Sequence, residues 1–293
     1  MRYRVTHETA YAYEELVSIC HNEIRLEPRE SERQRRLASS LVIEPAPAET
    51  HRESDYFGNP THFFTVEQPH HRMLLVSESE IEIAAAPERP DTPAWEELRA
   101  TLAADRSPAG LAARELCFAS PLVPVAEAFA AYAETHFPRG RAILPAVVEL
   151  THRIHTDFAY RPGATSVATP VGDVLEAREG VCQDFAHVEI ACLRALGLSA
   201  RYVSGYLHTR PAPGGERLVG ADASHAWVAV YCGPAAGWVD LDPTNDLVVS
   251  DGHVTLAWGR DYADVSPIKG VLLGGGEHSV EVAVEVAPLV AMD

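Results

Sequence analysis

Hydrophobic and polar positions alternate with a period of two in the first part of the chain. Every second residue from Tyr3 to Tyr13 is large or β-branched, which is typical of a strand with one buried face. Similar runs follow at residues 40–43, 61–66 and 73–83, with no helical spacing between them. The pattern predicts an N-terminal antiparallel β-sandwich domain over residues 1–86.

The spacing of apolar residues changes after a proline-rich stretch at residues 84–93, which we interpret as a linker. Beyond it, apolar residues recur three and four positions apart, and this spacing predicts helices over residues 95–104, 125–135 and 142–156. A fourth helix is predicted to begin at Thr169 and Pro170, which suit an N-cap and a first helical position. A fifth helix is predicted over residues 182–196, and Gly197 directly after it is suited to end the helix.

After the fifth helix the period returns to two, over residues 200–207, 225–231 and 237–241 and again in the tail. Helices followed by strands indicate an α+β fold, with helices packed on an antiparallel sheet. We place this core at residues 87–250. Residues 251–293 are expected to form a C-terminal β segment that packs on the other two parts.

The 293 residues include 42 acidic and 24 basic side chains, which gives a net charge of −18. Such a field repels phosphates and anionic lipids and argues against nucleic acid or a membrane as a partner. The sequence contains no apolar run of the length that spans a membrane, and its first residues lack the apolar segment of a signal peptide. The expected location is therefore the cytoplasm, where thiols stay reduced.

The five cysteines are odd in number and irregularly spaced, which does not indicate a disulfide framework. Four have ordinary apolar neighbours and are interpreted as packing residues: Cys20, Cys117, Cys192 and Cys232. Cys182 differs, because Gly180 and Val181 interrupt the helical pattern just before it, and Cys182 begins the next predicted helix. The dipole and unpaired N–H groups of a helix N-terminus favour a thiolate, so Cys182 is the candidate nucleophile.

A base for this thiol is expected in a β-hairpin predicted over residues 224–244, which turns at a Gly-Pro pair. Alternation places four apolar residues on a core face: Val228, Val230, Val239 and Leu241. The other face carries His225, Trp227, Asp240 and Asp242. Because the two ends of a hairpin meet, His225 is expected opposite residues 242–244 and Asp240 nearer Trp227, so Asp242 is the better partner for the imidazole.

These candidates have ordinary explanations as well. A histidine at a strand end is more often a surface or hydrogen-bonded residue than a base, and an aspartate before proline is usually a turn residue. A metal site can be drawn from Cys182, Asp184, His187 and His225, but structural zinc prefers closely spaced cysteines and the sequence has no CxxC pair. We therefore expect no metal and no cofactor.

The motifs at residues 180–187, 200–206, 224–227, 237–245 and 259–267 together resemble the bacterial transglutaminase-like family of papain-like cysteine enzymes. The N-terminal β region also resembles the domain that usually precedes this core, so the resemblance covers nearly the whole chain. It implies a transglutaminase-like fold for the core. It also implies Cys182 as nucleophile, His225 as general base and Asp242 as the acid that orients the imidazole.

Other residues are candidates for supporting this triad. Animal transglutaminases use a tryptophan near the thiol to support the oxyanion, and Tyr160 is the candidate for that place here, with a core tyrosine at a helix end as an equal alternative. Asp184, His187 and Trp227 are expected to hydrogen-bond or pack around the triad.

The resemblance implies a cysteine-dependent enzyme that acts on amide bonds of protein or peptide substrates through a thioester. An amine acceptor would give cross-linking, whereas water would give proteolysis or deamidation, and the sequence leaves this choice open together with the oligomeric state. The alternative is a non-catalytic scaffold or substrate-recruiting protein that retains a transglutaminase-like core.

Overall fold

The computed structural model describes residues 1–86, 91–208 and 224–289. The first strands are β1 (Arg2–Ile24), β2 (Gln34–Glu44), β3 (Glu49–Ser54), β4 (Pro60–Val66) and β5 (His70–Ile83). The helices are α1 (Trp95–Ala104), α2 (Pro108–Glu115), α3 (Glu127–Ala133), α4 (Ile143–Asp157), α5 (Val171–Ala177), α6 (Cys182–Ala195) and α7 (Tyr262–Val265), with a 3₁₀ turn at Glu134–His136. The remaining strands are β6 (Ala159–Tyr160), β7 (Glu179–Gly180), β8 (Ala200–Leu207), β9 (Ser224–Tyr231), β10 (Trp238–Asp242), β11 (Leu247–Val248), β12 (His253–Gly259), β13 (Ile268–Gly274) and β14 (His278–Pro288).

Strand β1 organises the N-terminal part of the fold because it is long enough to pair with four other strands. Its first half pairs with β5 and β14, and its second half pairs with β4 and β13. Shifts of register near Val17 mark irregularities that bend such a strand. The result is a seven-stranded sheet with the order β2-β5-β1-β4-β3, in which β13 and β14 also pair with β1.

This sheet contains the N-terminal antiparallel β region expected over residues 1–86 and extends beyond it. One sheet takes up the five N-terminal strands together with two strands of the tail. Alternation of residues shows that a strand has a buried face, but it does not show which strands lie beside it. The tail strands β13 and β14 therefore belong to the N-terminal sheet, whereas β12 belongs to the second sheet.

The second sheet is five-stranded and antiparallel, with the order β11-β10-β9-β8-β12. Helix α6 packs against β8 and β9, while α3, α4 and α5 pack against α6. Because α6 is enclosed in this way, it is buried from Asp184 to Arg194. The predicted α+β fold, with helices on an antiparallel sheet, is confirmed.

One hydrophobic core connects the two sheets. Tyr3 and Val5 of β1 and Ile81 of β5 belong to the same cluster of buried side chains as the apolar residues of α4 and α6. A second cluster, which includes Val17 and Leu75, lies within the N-terminal sheet. The N-terminal region therefore packs directly on the core rather than being tethered to it.

Three predicted helices are found within one residue of their predicted bounds, as α1, α4 and α6. Helix α5 begins one residue later than predicted, with Pro170 rather than Thr169 at its N-cap. Helices α2 and α7 were not predicted, because α2 is rich in small residues and α7 has only four. None of the helices in the described ranges combines the length and the hydropathy that a membrane span requires.

Two buried amides fasten the N-terminal region to β12, an edge strand of the second sheet. Gln34 donates to the carbonyl of Thr255 at 2.7 Å and accepts from its N–H at 2.8 Å. Asn59 pairs in the same way with Trp258, at 2.9 and 3.0 Å. These side chains satisfy backbone groups of β12 that a further strand would otherwise bind.

We expect Asn59→Ala and Gln34→Ala each to lower the free energy of unfolding by roughly 1–3 kcal/mol, because each leaves a buried N–H and C=O of β12 unpaired. Urea unfolding followed by circular dichroism measures the change. Glu67→Ala, which truncates an exposed side chain, is the control and should change stability by less than about 0.5 kcal/mol. An Asn59→Ala protein as stable as this control would contradict the interpretation.

Candidate active site

The start of α6 fixes the position of Cys182, which is the first helical residue. The carboxylate of Asp184 accepts hydrogen bonds from the Val181 N–H at 2.8 Å and from the Thr165 hydroxyl at 2.6 Å. A β-carbon on Gly180 would lie 2.5 Å from that carboxylate. Asp184, the third helical residue, therefore closes the start of the helix by binding the N–H of the N-cap residue, and Gly180 is needed because this carboxylate leaves no room for a side chain.

The hairpin of β9 and β10 brings His225 and Asp242 together. Their register pairs Val228 with Leu241 and Ala229 with Asp240, so Asp240 lies further from His225 than Asp242 does. Asp240 pairs with Ala229, two residues from Trp227 and four from His225, so it lies nearer Trp227, as the sequence predicts. His225 Nε2 lies 2.7 Å from Asp242 Oδ2.

Asp242 is fully buried, and donors surround its carboxylate. Oδ2 accepts from His225, from His253 at 3.0 Å and from the side-chain amide of Asn245 at 2.6 Å. Oδ1 accepts from the backbone N–H groups of Thr244 and Asn245. Burial opposes ionisation, but the hydrogen bonds from His225 and His253 outweigh it and hold the pKa of Asp242 well below its usual range.

His225 is correspondingly favoured in its charged form. Burial disfavours the imidazolium, but hydrogen bonds to Asp242 and Cys182 outweigh burial and raise the pKa of His225 to about 10. Because Nε2 faces Asp242, Nδ1 is the ring nitrogen left for the thiol. Cys182 thus lies at a helix N-terminus and lines the same cleft as this imidazole, an arrangement that suits nucleophilic attack.

Cys182 and His225 line a cleft of about 360 Å³ that three parts of the chain enclose. The core contributes Tyr202 and Ser204, the N-terminal strand contributes alternate residues of β1, and the tail contributes Ile268, Val280 and Val282. The β1 residues are His7, Thr9 and Tyr11.

His7 is the basic residue of this wall, and it is neutral at physiological pH. Burial lowers the pKa of its imidazole to about 4. Its two nitrogens are engaged by the Thr9 hydroxyl at 2.8 Å and the Tyr206 hydroxyl at 2.9 Å. Apart from Cys182 and His225, the described side chains that line the cleft are therefore uncharged.

The other residues expected near the triad have separate positions. Trp227 is buried beside the His225 ring, with centroids 6.2 Å apart. His187 is buried and accepts from the Tyr262 N–H at 3.2 Å, so it supports α7 rather than the thiol, and burial lowers its pKa to about 4. Tyr160 is half-exposed on Phe185, where burial and the charge of Cys182 raise its pKa.

The grouping with metal-ligand chemistry is not the one drawn from the sequence. His225, Asp242 and His253 place one ligand atom each within 4.8 Å of one another, whereas Asp184 and His187 bond to other groups. The Nε2 atoms of His225 and His253 already hydrogen-bond to Asp242 Oδ2, at 2.7 and 3.0 Å. Hydrogen bonding therefore accounts for the cluster.

Sequence reasoning missed two polar residues behind the triad. His253 lies on a different strand from the hairpin, and no local pattern connects it to Asp242. Glu189 lies seven residues after Cys182 on α6, which places both on one face of the helix. A charged residue within this apolar stretch was the signal that could have identified Glu189.

Glu189 is completely buried and contacts the Thr151 hydroxyl at 2.8 Å. That hydroxyl has a single proton and also lies 2.9 Å from the Val147 carbonyl. Thr151 therefore shares this proton between the Glu189 carboxyl oxygen and the Val147 carbonyl, both of which accept from it. Burial, assisted by the charge of Asp242, raises the pKa of Glu189 to about 8, although the Thr151 hydrogen bond opposes the shift.

Two family models match the chain. The model of the bacterial transglutaminase-like N-terminal region matches residues 3–82, and the model of the transglutaminase-like superfamily matches residues 132–243. The second stretch contains Cys182, His225 and Asp242.

Two known proteins resemble the chain along nearly its whole length, and a third resembles part of it. An uncharacterised protein of Mycobacterium tuberculosis is 42% identical over 299 residues, covering 98% of this chain and 93% of the relative. A protein-glutamine gamma-glutamyltransferase of Pseudomonas aeruginosa is 36% identical over 126 residues, covering 39% of this chain and 19% of that enzyme. The solved structure of a candidate cysteine protease from Cytophaga hutchinsonii has a TM-score of 0.77 at 22% identity and covers 100% of this chain and 92% of its own, which shows a shared fold.

Iodoacetamide is expected to alkylate Cys182 at neutral pH at least about tenfold faster than Cys117. Burial raises the pKa of the Cys117 thiol to about 11, so this partly exposed cysteine is an internal control. Peptide mapping by mass spectrometry after short exposures measures both rates. Equal rates would show that Cys182 is not activated.

In Asp242→Asn, the loss of the carboxylate lowers the pKa of His225, so alkylation of Cys182 should slow while that of Cys117 stays unchanged.

Glu189→Gln is expected to remove a pH dependence of stability. The folded protein holds the Glu189 proton up to about pH 8, while an unfolded chain releases it near pH 4.5. The free energy of unfolding therefore falls between these values as pH rises, by on the order of a few kcal/mol. Urea unfolding of both proteins across this range should show the variant gaining relative stability toward high pH. If the difference in free energy of unfolding between variant and wild type does not change with pH, Glu189 is not a buried acid that stays protonated to about pH 8. The exposed Glu67→Gln variant is the control.

Proposed function

The chain belongs to the transglutaminase-like superfamily, and we propose that it is a cysteine-dependent amide-bond enzyme that works through a thioester on peptide or protein substrates. One observation carries this proposal: His225 Nε2 lies 2.7 Å from the buried Asp242 carboxylate, and Cys182 at the start of α6 lines the same cleft as His225. These are the contacts that a nucleophile, a proton-transferring base and its orienting acid require.

In the first half of the reaction, the Cys182 thiolate attacks the carbonyl carbon of a carboxamide and a C–S bond forms. The oxyanion that results lies at the N-terminus of α6, where the Cys182 N–H is a donor without a helical acceptor. As the oxyanion collapses, the C–N bond breaks and the His225 imidazolium gives its proton to the departing nitrogen. Ammonia or an amine leaves, and the acyl group remains as a thioester.

In the second half, neutral His225 takes a proton from the acceptor as it attacks the thioester. The C–S bond breaks, and the electron pair returns to the sulfur as a thiolate beside the reformed imidazolium. Water as acceptor gives hydrolysis, and a primary amine gives a new amide. The same three residues serve both outcomes, so the acceptor depends on what enters the cleft.

The walls of the cleft support a neutral acyl group as substrate. A side-chain carboxamide such as that of glutamine brings no charge into a cleft whose described lining is uncharged apart from Cys182 and His225. Thr9, Ser204 and Ser224 offer hydroxyl groups to the amide, while Val280 and Val282 offer an apolar surface to the neighbouring chain.

Incubation of the purified protein with glutamine-containing peptides, with and without a primary amine, tests the proposal by mass spectrometry. Transamidation joins peptide and amine with loss of ammonia, deamidation exchanges the amide for an acid, and proteolysis yields two fragments that together contain one added water. We expect at least one of these products, with an acyl-enzyme mass on Cys182. Cys182→Ala should abolish product formation.

The control for the Cys182→Ala protein is Cys117→Ala, which removes a cysteine outside the cleft and should leave the reaction unchanged. Absence of product and of acyl-enzyme across a broad peptide library would refute the proposed enzymatic activity. A Cys182→Ala protein that still fulfils the cellular role would favour the scaffold instead.

A further inference from the structure

His253 contacts the same carboxylate oxygen as His225 but comes from a different strand. It is the first residue of β12, and its Nε2 lies 3.0 Å from Asp242 Oδ2. Its side chain is buried, as is that of Asp242. Because an ionised carboxylate only accepts hydrogen bonds, the Nε2 atoms of both histidines carry protons. Asp242 therefore binds two imidazoles at once.

The second nitrogen of His253 identifies the form of the ring. Nδ1 is buried, and no hydrogen-bond partner reaches it within the described part of the chain. A proton on Nδ1 would add a charge and leave a buried N–H without an acceptor. The ring is therefore neutral, with its proton on Nε2 and directed at Asp242.

Packing alone does not explain a histidine at this position. The ring of His253 meets Trp227 edge-on, with centroids 5.1 Å apart, and Trp227 belongs to a small apolar cluster with Val203 and Ala229. An apolar side chain would pack here without leaving a buried nitrogen unpaired. The hydrogen bond to Asp242 is the interaction that offsets the burial of the imidazole.

We propose that His253 is a positioning residue of the active site, which keeps Asp242 aligned with His225 throughout the reaction; this inference rests on the proposed function. In the resting state, the charge of the His225 imidazolium itself holds the carboxylate. When His225 passes its proton to the leaving nitrogen, that attraction ends, while the hydrogen bond from His253 remains.

The remaining hydrogen bond matters because of the tautomer that the second half-reaction needs. Neutral His225 can take a proton from the acceptor at Nδ1 only while its own proton stays on Nε2. Asp242 Oδ2 enforces this tautomer if it keeps facing Nε2. His253 and the Asn245 amide are the donors that hold Oδ2 in that direction, and His253 is the one fixed by a strand of the sheet.

Two substitutions separate the hydrogen bond from the packing. His253→Leu removes the donor and leaves an apolar side chain, whereas His253→Gln places an amide N–H near the position of Nε2. With a peptide that the enzyme turns over, we expect His253→Leu to lower kcat by roughly tenfold to a hundredfold with little change in KM. His253→Gln should recover most of kcat.

A matched control comes from the N-terminal sheet. His70 is a buried histidine that also begins a strand, and its ring meets Tyr13 edge-on. It lies outside the cleft lining, so His70→Leu should affect stability without lowering kcat. Circular dichroism and thermal unfolding of each variant show whether it is folded at the assay temperature.

Nuclear magnetic resonance of ¹⁵N-histidine protein tests the proposal without any substrate. In the wild type and in His253→Gln, the proton on His225 Nε2 should be protected from exchange with water, and in His253→Leu it should exchange faster. In the wild type, His253 should show the neutral ring with its proton on Nε2. Absence of turnover would therefore count against the proposed function alone.

Two outcomes would overturn the positioning role. One is a folded His253→Leu protein with wild-type protection of the His225 proton. The other is a His253→Gln protein that behaves like His253→Leu, since this would assign the effect to the shape of the ring rather than to its donor.

Discussion

The carboxylate of Asp242 is an ion held out of water, and the fold must replace its hydration with hydrogen bonds. The donors come from β9, from β12 and from the turn after β10, so the second sheet must be assembled before this ion is stable. Helix α4 holds the turn in place: His152 lies 2.7 Å from the Asp246 carboxylate, and His155 lies 3.0 Å from the Thr244 carbonyl. The charge that orients His225 thus depends on two strands, on the turn after β10 and on helix α4.

The same dependence reaches the N-terminal region through β12. This strand carries His253 at its start, and its backbone is bound further along by the Gln34 and Asn59 amides. The ring of Trp258 on this strand is covered by the Arg29 guanidinium, 3.1 Å from the centroid, and by that of Arg201, at 3.6 Å. These contacts attach the edge strand to the region preceding the core. The N-terminal sheet therefore supports the geometry of Asp242 as well as enclosing the cleft.

Local periodicity predicted the parts of the fold whose pattern is regular. The hairpin face that carries His225 and Asp242 follows from alternation within a few residues of sequence, and α1 follows from apolar spacing in the same way. Strand β3 was missed because all of its residues are exposed, and the second half of β1 was missed because the register shifts near Val17 break the period of two. His253 was missed for a different reason: its partner is set by strand order in the sheet, which a single sequence does not encode in any local pattern. The pairing of the long tail strand β14 with β1 is likewise not encoded in any local sequence pattern.

Strand β1 shows how recognition and chemistry can be divided between the parts of one chain. Its inward residues pass in turn from the main core at Tyr3 and Val5, through the cleft at His7 and Thr9, to the N-terminal core at Tyr13. Since side chains two apart point to the same face, a strand anchored in hydrophobic cores at both ends presents its middle residues to the cleft at fixed positions. The proposed nucleophile and its base come from α6 and β9, so these wall positions are separate from the groups proposed to transfer protons. Under the proposed function, the N-terminal sheet supplies a wall of the substrate cleft, and the helix and hairpin supply the groups proposed for acyl transfer.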